Sequence, residues 1–175
     1  MTHFFADDGE KIHVQVTGEG PPIIMLHGWT ASHQEWAPFL DQLTPHHRVL
    51  RWDARGHGGH RLTRDTVPTV QRMARDLHNL IDHYQLDRLV AIGHSMGALT
   101  LWQYIEEHGC GRLGKVCFLD QSPKLLTDAE WLNGIYGDFD RQRSAAFLKH
   151  LESDFAESVL LLGAKIGRAS CRERV

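Results

Sequence analysis

Leu89-Val90-Ala91-Ile92-Gly93-His94-Ser95-Met96-Gly97-Ala98 decides the reading of this chain. An apolar run leads into a serine set between two glycines, and a helix-like stretch from Ala98 to His108 follows. The order is strand, sharp turn, helix, the arrangement of a G-x-S-x-G nucleophile elbow, in which the serine hydroxyl stands clear of the backbone. Glycine is required on both sides because a Cβ at either position would strike the neighbouring strand or helix. The pentapeptide alone is common. Its weight comes from the strand before it and the helix after it.

Outward from the elbow, strands and helices alternate. Lys11 to Thr17 places Ile12, Val14 and Val16 on one face, the pattern of a half-buried strand. Gly18-Glu19-Gly20-Pro21-Pro22 is turn chemistry, and Ile23-Ile24-Met25-Leu26 is a continuous apolar run, as in a strand buried on both faces. Trp36, Phe39, Leu40 and Leu43 recur at i, i+3, i+4 and i+7 and predict an amphipathic helix. Ser32 and Glu35 have capping-box spacing, while Pro38 favours a slightly later start. Arg48 to Trp52, Arg88 to Ile92 and Lys115 to Leu119 read as further strands. Val70, Met73, Ala74, Leu77, Leu80, Ile81 and Tyr84 trace one helical stripe, and Leu148, Leu151 and Phe155 a weaker one within Arg141 to Val159. The alternation implies a mostly parallel sheet with helices on both faces.

Three segments beyond the elbow carry chemistry. Leu26-His27-Gly28-Trp29-Thr30 follows a buried strand. Acyl transfer builds negative charge on a carbonyl oxygen and needs fixed donors aimed at it. In an elbow architecture one donor is the N–H after the nucleophile, here Met96, and the other comes from such a loop, with Trp29 the natural candidate. Trp29 also reads as a plain packing tryptophan. Asp53-Ala54-Arg55-Gly56-His57-Gly58-Gly59-His60 closes a strand; Asp53 and Arg55 read as structural, pairing or bonding loop backbone. Phe118-Leu119-Asp120-Gln121-Ser122-Pro123 ends another strand. Asp120 reads either as a cap for the loop before Pro123 or as the carboxylate that orients a histidine and stabilises its imidazolium. His94 adjoins Ser95, but successive residues at a sharp turn point apart, so it is not expected to be the base.

Composition narrows the classes. With 42% hydrophobic and 23% charged residues and a net charge of -3, the 175-residue chain fits a globular enzyme and has no basic excess for nucleic acid. No apolar run reaches a membrane span of about 20 residues, and the first residues lack a signal-peptide pattern. Cys110, Cys117 and Cys171 make no disulfide framework, so a reducing, cytoplasmic compartment is expected. The 13 histidines show no H-E-x-x-H or Cys/His pattern; no metal and no cofactor is assigned.

The His27-Gly28-Trp29 loop, the Asp53-x-Arg55-Gly56-x-Gly58 turn, the Gly93-x-Ser95-x-Gly97 elbow and the Asp120-x-x-Pro123 segment, in that order, resemble the α/β-hydrolase superfamily. The likeness runs from about Phe5 to Pro123 and is greatest to the branch of small esterases and cofactor-free haloperoxidases with an aromatic residue after His-Gly. It implies an α/β-hydrolase fold and serine-dependent hydrolysis of a small carboxylic ester through an acyl-enzyme. Ser95 would be the nucleophile, Asp120 the acid, and Trp29 and Met96 the oxyanion donors. Many members carry the acid after a later strand; some esterases carry it where Asp120 lies. His27, Gly28 and His94 would contact substrate, as would Trp131 and Tyr136 from a cap inserted after the sixth strand. These cap residues also read as cap-to-core packing. Aspartate replaces the nucleophile in haloalkane dehalogenases and epoxide hydrolases, so Ser95 points away from them. C–C bond hydrolysis, cofactor-free perhydrolysis and a non-catalytic binding module remain alternatives.

The family's histidine follows the last strand. Of this chain only His150 comes after Asp120, on the predicted cap helix. Residues 166–175 lack periodicity and resemble one reading frame of a sequencing adapter. The expected organisation is thus residues 1–123 as the N-terminal part of the core, 124–165 as the start of the cap and 166–175 as a non-native tail. The sheet would be truncated before its last strands and the fragment inactive.

Overall fold

A computed structural model describes residues 2–63 and 67–161 of the chain, apart from the side chain of Tyr136. The predicted adapter tail, with Cys171, lies outside the described residues. The chain divides into two compact units, Met1–Pro123 and Lys124–Val175.

In the first unit, strands β1 (Thr2–Phe5), β2 (Lys11–Thr17), β3 (Pro22–Leu26), β4 (Arg48–Asp53), β5 (Leu89–His94) and β6 (Leu113–Leu119) form one sheet. Their spatial order is β1-β2-β4-β3-β5-β6. β3, β4, β5 and β6 run parallel, and the β1–β2 pair joins antiparallel along β4. The sheet is mixed but mostly parallel, as its apolar runs predict.

Those runs are continuous because each central strand feeds two cores. Ile24, Leu26, Leu50, Trp52, Leu89 and Ala91 pack on one face, beneath Met73, Leu77, Leu80, Ile81, Leu101 and Tyr104. The last six come from helices α2 (Val70–His83) and α3 (Met96–His108). Alternate residues Ile23, Met25, Val49, Val90 and Ile92 pack on the other face with Trp36, Leu40 and Leu43. Period-2 alternation thus becomes burial on both sides.

Two segments differ from the sequence reading. β1 is a strand that no run announces: of Thr2-His3-Phe4-Phe5 only Phe4 is buried, and four residues of an edge strand need no more. The helix expected from Trp36 onward is instead a tight 3₁₀ stretch, His33–Phe39, with one short turn α1 (Leu40–Leu43) after it. Ser32 caps it by accepting from the Gln34 N–H. Pro38 has no N–H to donate, and Phe39 is turned outward, 50% exposed. Glu35 does not close a capping box; its carboxylate is used elsewhere.

In the second unit, Asp128 and Trp131 pair in an isolated antiparallel bridge, and the Ile135 N–H donates to the Leu125 carbonyl. Helix α4 (Arg141–Ser153) begins at Asp140, which accepts the Arg143 N–H at 2.8 Å. Residues 155–161 are helical again after an extended Asp154, so the predicted helix from Arg141 to Val159 is broken in two.

Candidate active site

β3, β4, β5 and β6 all point their C-terminal ends to one edge of the sheet, and every segment singled out in the first unit sits there. Leu26 pairs with Gly93, and His94 with Leu119. The Ser95 N–H donates to the Leu119 carbonyl at 3.0 Å. Ser95 and Asp120 are therefore the first residues beyond adjacent parallel strands, the edge where open α/β sheets bind ligands.

Ser95 has φ 48° and ψ -111°, a conformation that a side chain rarely tolerates. The surroundings impose it. A Cβ on Gly93 would lie 2.5 Å from the Gly97 carbonyl carbon and 2.7 Å from the Ala98 nitrogen. A Cβ on Gly97 would lie 2.7 Å from the Leu26 carbonyl carbon. Helix α3 thus rests directly on the strand ends, and both glycines of the elbow are steric requirements. Met96 opens α3, and N–H groups in a helix's first turn have no acceptor within the helix.

The loop after β3 is tied at three points. The fully buried His27 directs Nδ1 to the Gly28 carbonyl at 2.7 Å, and its Nε2 accepts the Ala54 N–H at 3.0 Å. Only a neutral imidazole protonated on Nδ1 makes both bonds, and burial holds its pKa below 6.5. His27 is thus a strut between β3 and β4, with both ring nitrogens occupied and the side chain fully buried. Next, the Asp53 carboxylate accepts the His33 N–H at 2.7 Å and lies 2.9 Å from its Nδ1. A side chain at Gly58, where φ is +60°, would strike that same carboxylate. Finally the Gly28 N–H donates to Glu35 Oε2 at 2.8 Å, so Gly28 is held by protein. Trp29, the next residue, packs partly buried against the core.

Around Ser95 the structure adds two residues that no local pattern marked. Ser95 Oγ is 3.4 Å from Gln121 Oε1, and the Gln121 amide nitrogen donates to the Ser122 carbonyl. His94 Nδ1 stands 2.5 Å from Glu35 Oε1, an ion-pair approach off the direction of an ideal hydrogen bond. Asp120 is exposed with φ 48°. Among the described residues Ser95 Oγ bonds Gln121 and no histidine.

Arg55 lies deeper, fully buried, with Nε and Nη2 each 2.7 Å from the Asp76 carboxylate and Nη1 2.8 Å from Asp8. It ties the β1–β2 turn and α2 to the end of β4, as its structural reading expects. Trp131 and Tyr136 belong to the second unit, and the Tyr136 side chain is outside the described residues. There too, His150 Nδ1 is 2.6 Å from Ser158 Oγ. No group of three or more metal-ligating side chains occurs among the described residues.

The sequence profile of the alpha/beta hydrolase fold matches residues 21–166. The chain belongs to this family. The sequence is 32% identical to a non-heme haloperoxidase of Rhodococcus erythropolis, over 74% of this chain and 47% of that protein. It is 28% identical to a pimeloyl-[acyl-carrier protein] methyl ester esterase of Vibrio vulnificus, over 94% of this chain and 60% of the other. Among solved structures, an esterase from Exiguobacterium antarcticum superposes with a TM-score of 0.84 at 25% identity, covering 93% of this chain and 60% of its own. The hydrolase chain spans about half the length of the curated relatives it matches.

Proposed function

We propose that the protein to which this chain belongs hydrolyses small carboxylic esters, with Ser95 as nucleophile. The observation that carries this is the elbow: a serine held at φ 48° at the C-terminal edge of a parallel sheet, between two glycines that cannot be anything else. Strain of this kind persists where the surrounding structure fixes it and clusters at reactive sites.

In this reading Ser95 Oγ attacks the acyl carbonyl carbon and its proton passes to a histidine. The N–H groups of Met96 and Trp29 hold the resulting oxyanion. Collapse of the tetrahedral intermediate expels the alcohol, which takes the proton from that histidine, and water then cleaves the acyl-enzyme. The resemblance puts the histidine after the last strand of the fold, and Asp120 would orient it. An unassisted hydroxyl is a weak nucleophile, so the 175-residue chain alone should turn over little ester. Gly28 and His94 are assigned to the surroundings of the reacting group. Cys110 and Cys117 are exposed free thiols, which supports a cytoplasmic location. No described helix is long and apolar enough to cross a membrane.

The test is turnover of p-nitrophenyl esters by the uninterrupted protein and by this chain, each beside Ser95→Ala. Hydrolysis by the former, lost in Ser95→Ala, is expected. Robust Ser95-dependent turnover by the 175-residue chain would refute the assignment of the base outside it. A haloperoxidase among the relatives favours one second reading, perhydrolysis by the same serine. Peroxide-dependent halogenation exceeding ester hydrolysis would select it.

A further inference from the structure

Glu35 reaches both halves of this site. Its Oε2 accepts the Gly28 N–H at 2.8 Å, and its Oε1 stands 2.5 Å from Nδ1 of His94, the residue before the nucleophile. Glu35 and His94 are both partly exposed, at 22% and 36%. They therefore sit at the rim of the site, outside the hydrophobic core. The contact they bridge is tight. A Cβ on Gly28 would lie 2.9 Å from His94 Nδ1, 3.1 Å from its Cε1 and 3.5 Å from Ser95 Cβ. The loop backbone lies flat against the His94 ring and the serine.

Two chemical consequences follow. The Gly28 N–H is spent on a carboxylate, so it cannot serve a substrate oxygen; within this loop that duty moves to the next N–H, on Trp29. A carboxylate near a forming oxyanion would oppose it, yet here both oxygens face an amide and an imidazole. The spacing between the Trp29 and Met96 donors then depends on how firmly the loop is pinned to the elbow. Neither β3 nor α3 supplies that pin by backbone pairing beyond Leu26 and Gly93.

We propose that Glu35 is a positioning residue, which clamps the loop carrying the Trp29 N–H onto the elbow carrying Ser95, with His94 as its second anchor. The clamp rests on the reading of Ser95 as an acyl-transfer nucleophile, so its test has one arm independent of activity. That arm is amide hydrogen exchange of the 175-residue chain. Glu35→Ala should speed exchange at Gly28 by about 10- to 100-fold, while Glu35→Gln, which keeps an acceptor, should stay within about threefold of wild type. Ile24 and Ala91, at the centre of the sheet, should not change. An unaltered Gly28 in Glu35→Ala, or equal acceleration at Ile24 and Ala91, overturns the clamp. If Glu35→Ala fails to fold, His94→Asn reads the other anchor: about a threefold or greater rise at Gly28 is expected, and none overturns it. The second arm uses the uninterrupted protein. Glu35→Ala should lower kcat about 100-fold with KM little changed, and Glu35→Gln should recover part of the loss. A wild-type kcat in Glu35→Ala overturns the positioning role. Wild-type protein whose turnover survives Ser95→Ala instead refutes the proposed function, and exchange at Gly28 still decides the clamp.

Discussion

Removing the charge of Asp76 tests the largest electrostatic commitment in the fold. Asp76 and Arg55 are each 0% exposed, and two bonds of 2.7 Å join them. Burial pushes the Asp76 carboxyl up, toward its neutral form, while its bonds to Arg55 pull it back. The guanidinium stays charged whatever its surroundings. Asp76→Asn keeps the shape and one acceptor but removes the fully buried carboxylate partner of Arg55, whose pairing with Asp8 is partly exposed. Breaking one side of a buried pair costs about 3–5 kcal/mol, because the remaining ion has lost its compensation. For a chain of this size that lowers the melting temperature by about 10 °C. Asp7→Asn is the control. Asp7 lies 2.5 Å from Arg72, closer than Asp76 lies to Arg55, but it is 53% exposed. If distance ruled, Asp7 would matter more; because solvent screens it, its loss should cost less than about 1 kcal/mol. Urea unfolding followed by the fluorescence of the buried Trp52 measures both. A cost below about 1 kcal/mol for Asp76→Asn, or equal costs for the two variants, would refute the burial argument.

Further outcomes follow from the same geometry. The Arg55 hydrogen bond lowers the Asp8 pKa from 3.8 to about 2, so its contribution is present above pH 3.8 and lost as pH falls toward 2. After allowance for solvent this is about 1 kcal/mol, and Asp8→Asn should flatten the urea-unfolding midpoint over that pH interval. His27, with its pKa held below 6.5 by burial, should remain neutral as exposed histidines titrate. Stability is then fully present above pH 6.5 and falls below it, and ring nitrogen shifts by NMR that move at 6.5 would contradict the strut. Gly97→Ala forces a Cβ to 2.7 Å from the Leu26 backbone carbon and should cost about 2 kcal/mol or more in thermal unfolding. Ser95→Gly relieves φ 48° and should cost no stability, gaining up to about 1 kcal/mol; clear destabilisation would show that Ser95 is unstrained.

The parts legible in the sequence are those in which one local pattern carries one physical cause. Ile23 to Leu26 reads as a strand buried on both faces because successive residues feed separate cores. Val70 to Tyr84 reads as a helix because one stripe faces the sheet. The elbow is legible because the strand, the glycine-flanked serine and the helix follow one another in sequence, although the contact that forces Gly97 comes from the distant Leu26. The 3₁₀ stretch was misread because i, i+3, i+4 spacing fits a helix of either pitch until Pro38 withdraws a donor and Phe39 turns outward. Glu35, His33 and Gln121 escaped because their partners are remote in sequence: Gly28 and His94, Asp53, and Ser95. His27, which the resemblance sets among the substrate contacts, also bonds the Ala54 N–H through its Nε2, a framework role whose partner is remote in sequence.

The division of labour within this sheet edge follows from the magnitudes. A preorganised oxyanion donor is worth about 10²–10³ in rate, and a general base about 10²–10⁴. In the proposed reading, the residues that set the nucleophile and the loop donors lie on β3 to β6, α3 and the 3₁₀ stretch, all within the first unit. His27, Asp53 and Glu35 each fix the loop at a different point, and none needs substrate to do so. The proposed histidine base has only to reach Ser95 Oγ. Loss of the base would therefore slow attack while leaving the donors in place to hold a tetrahedral adduct.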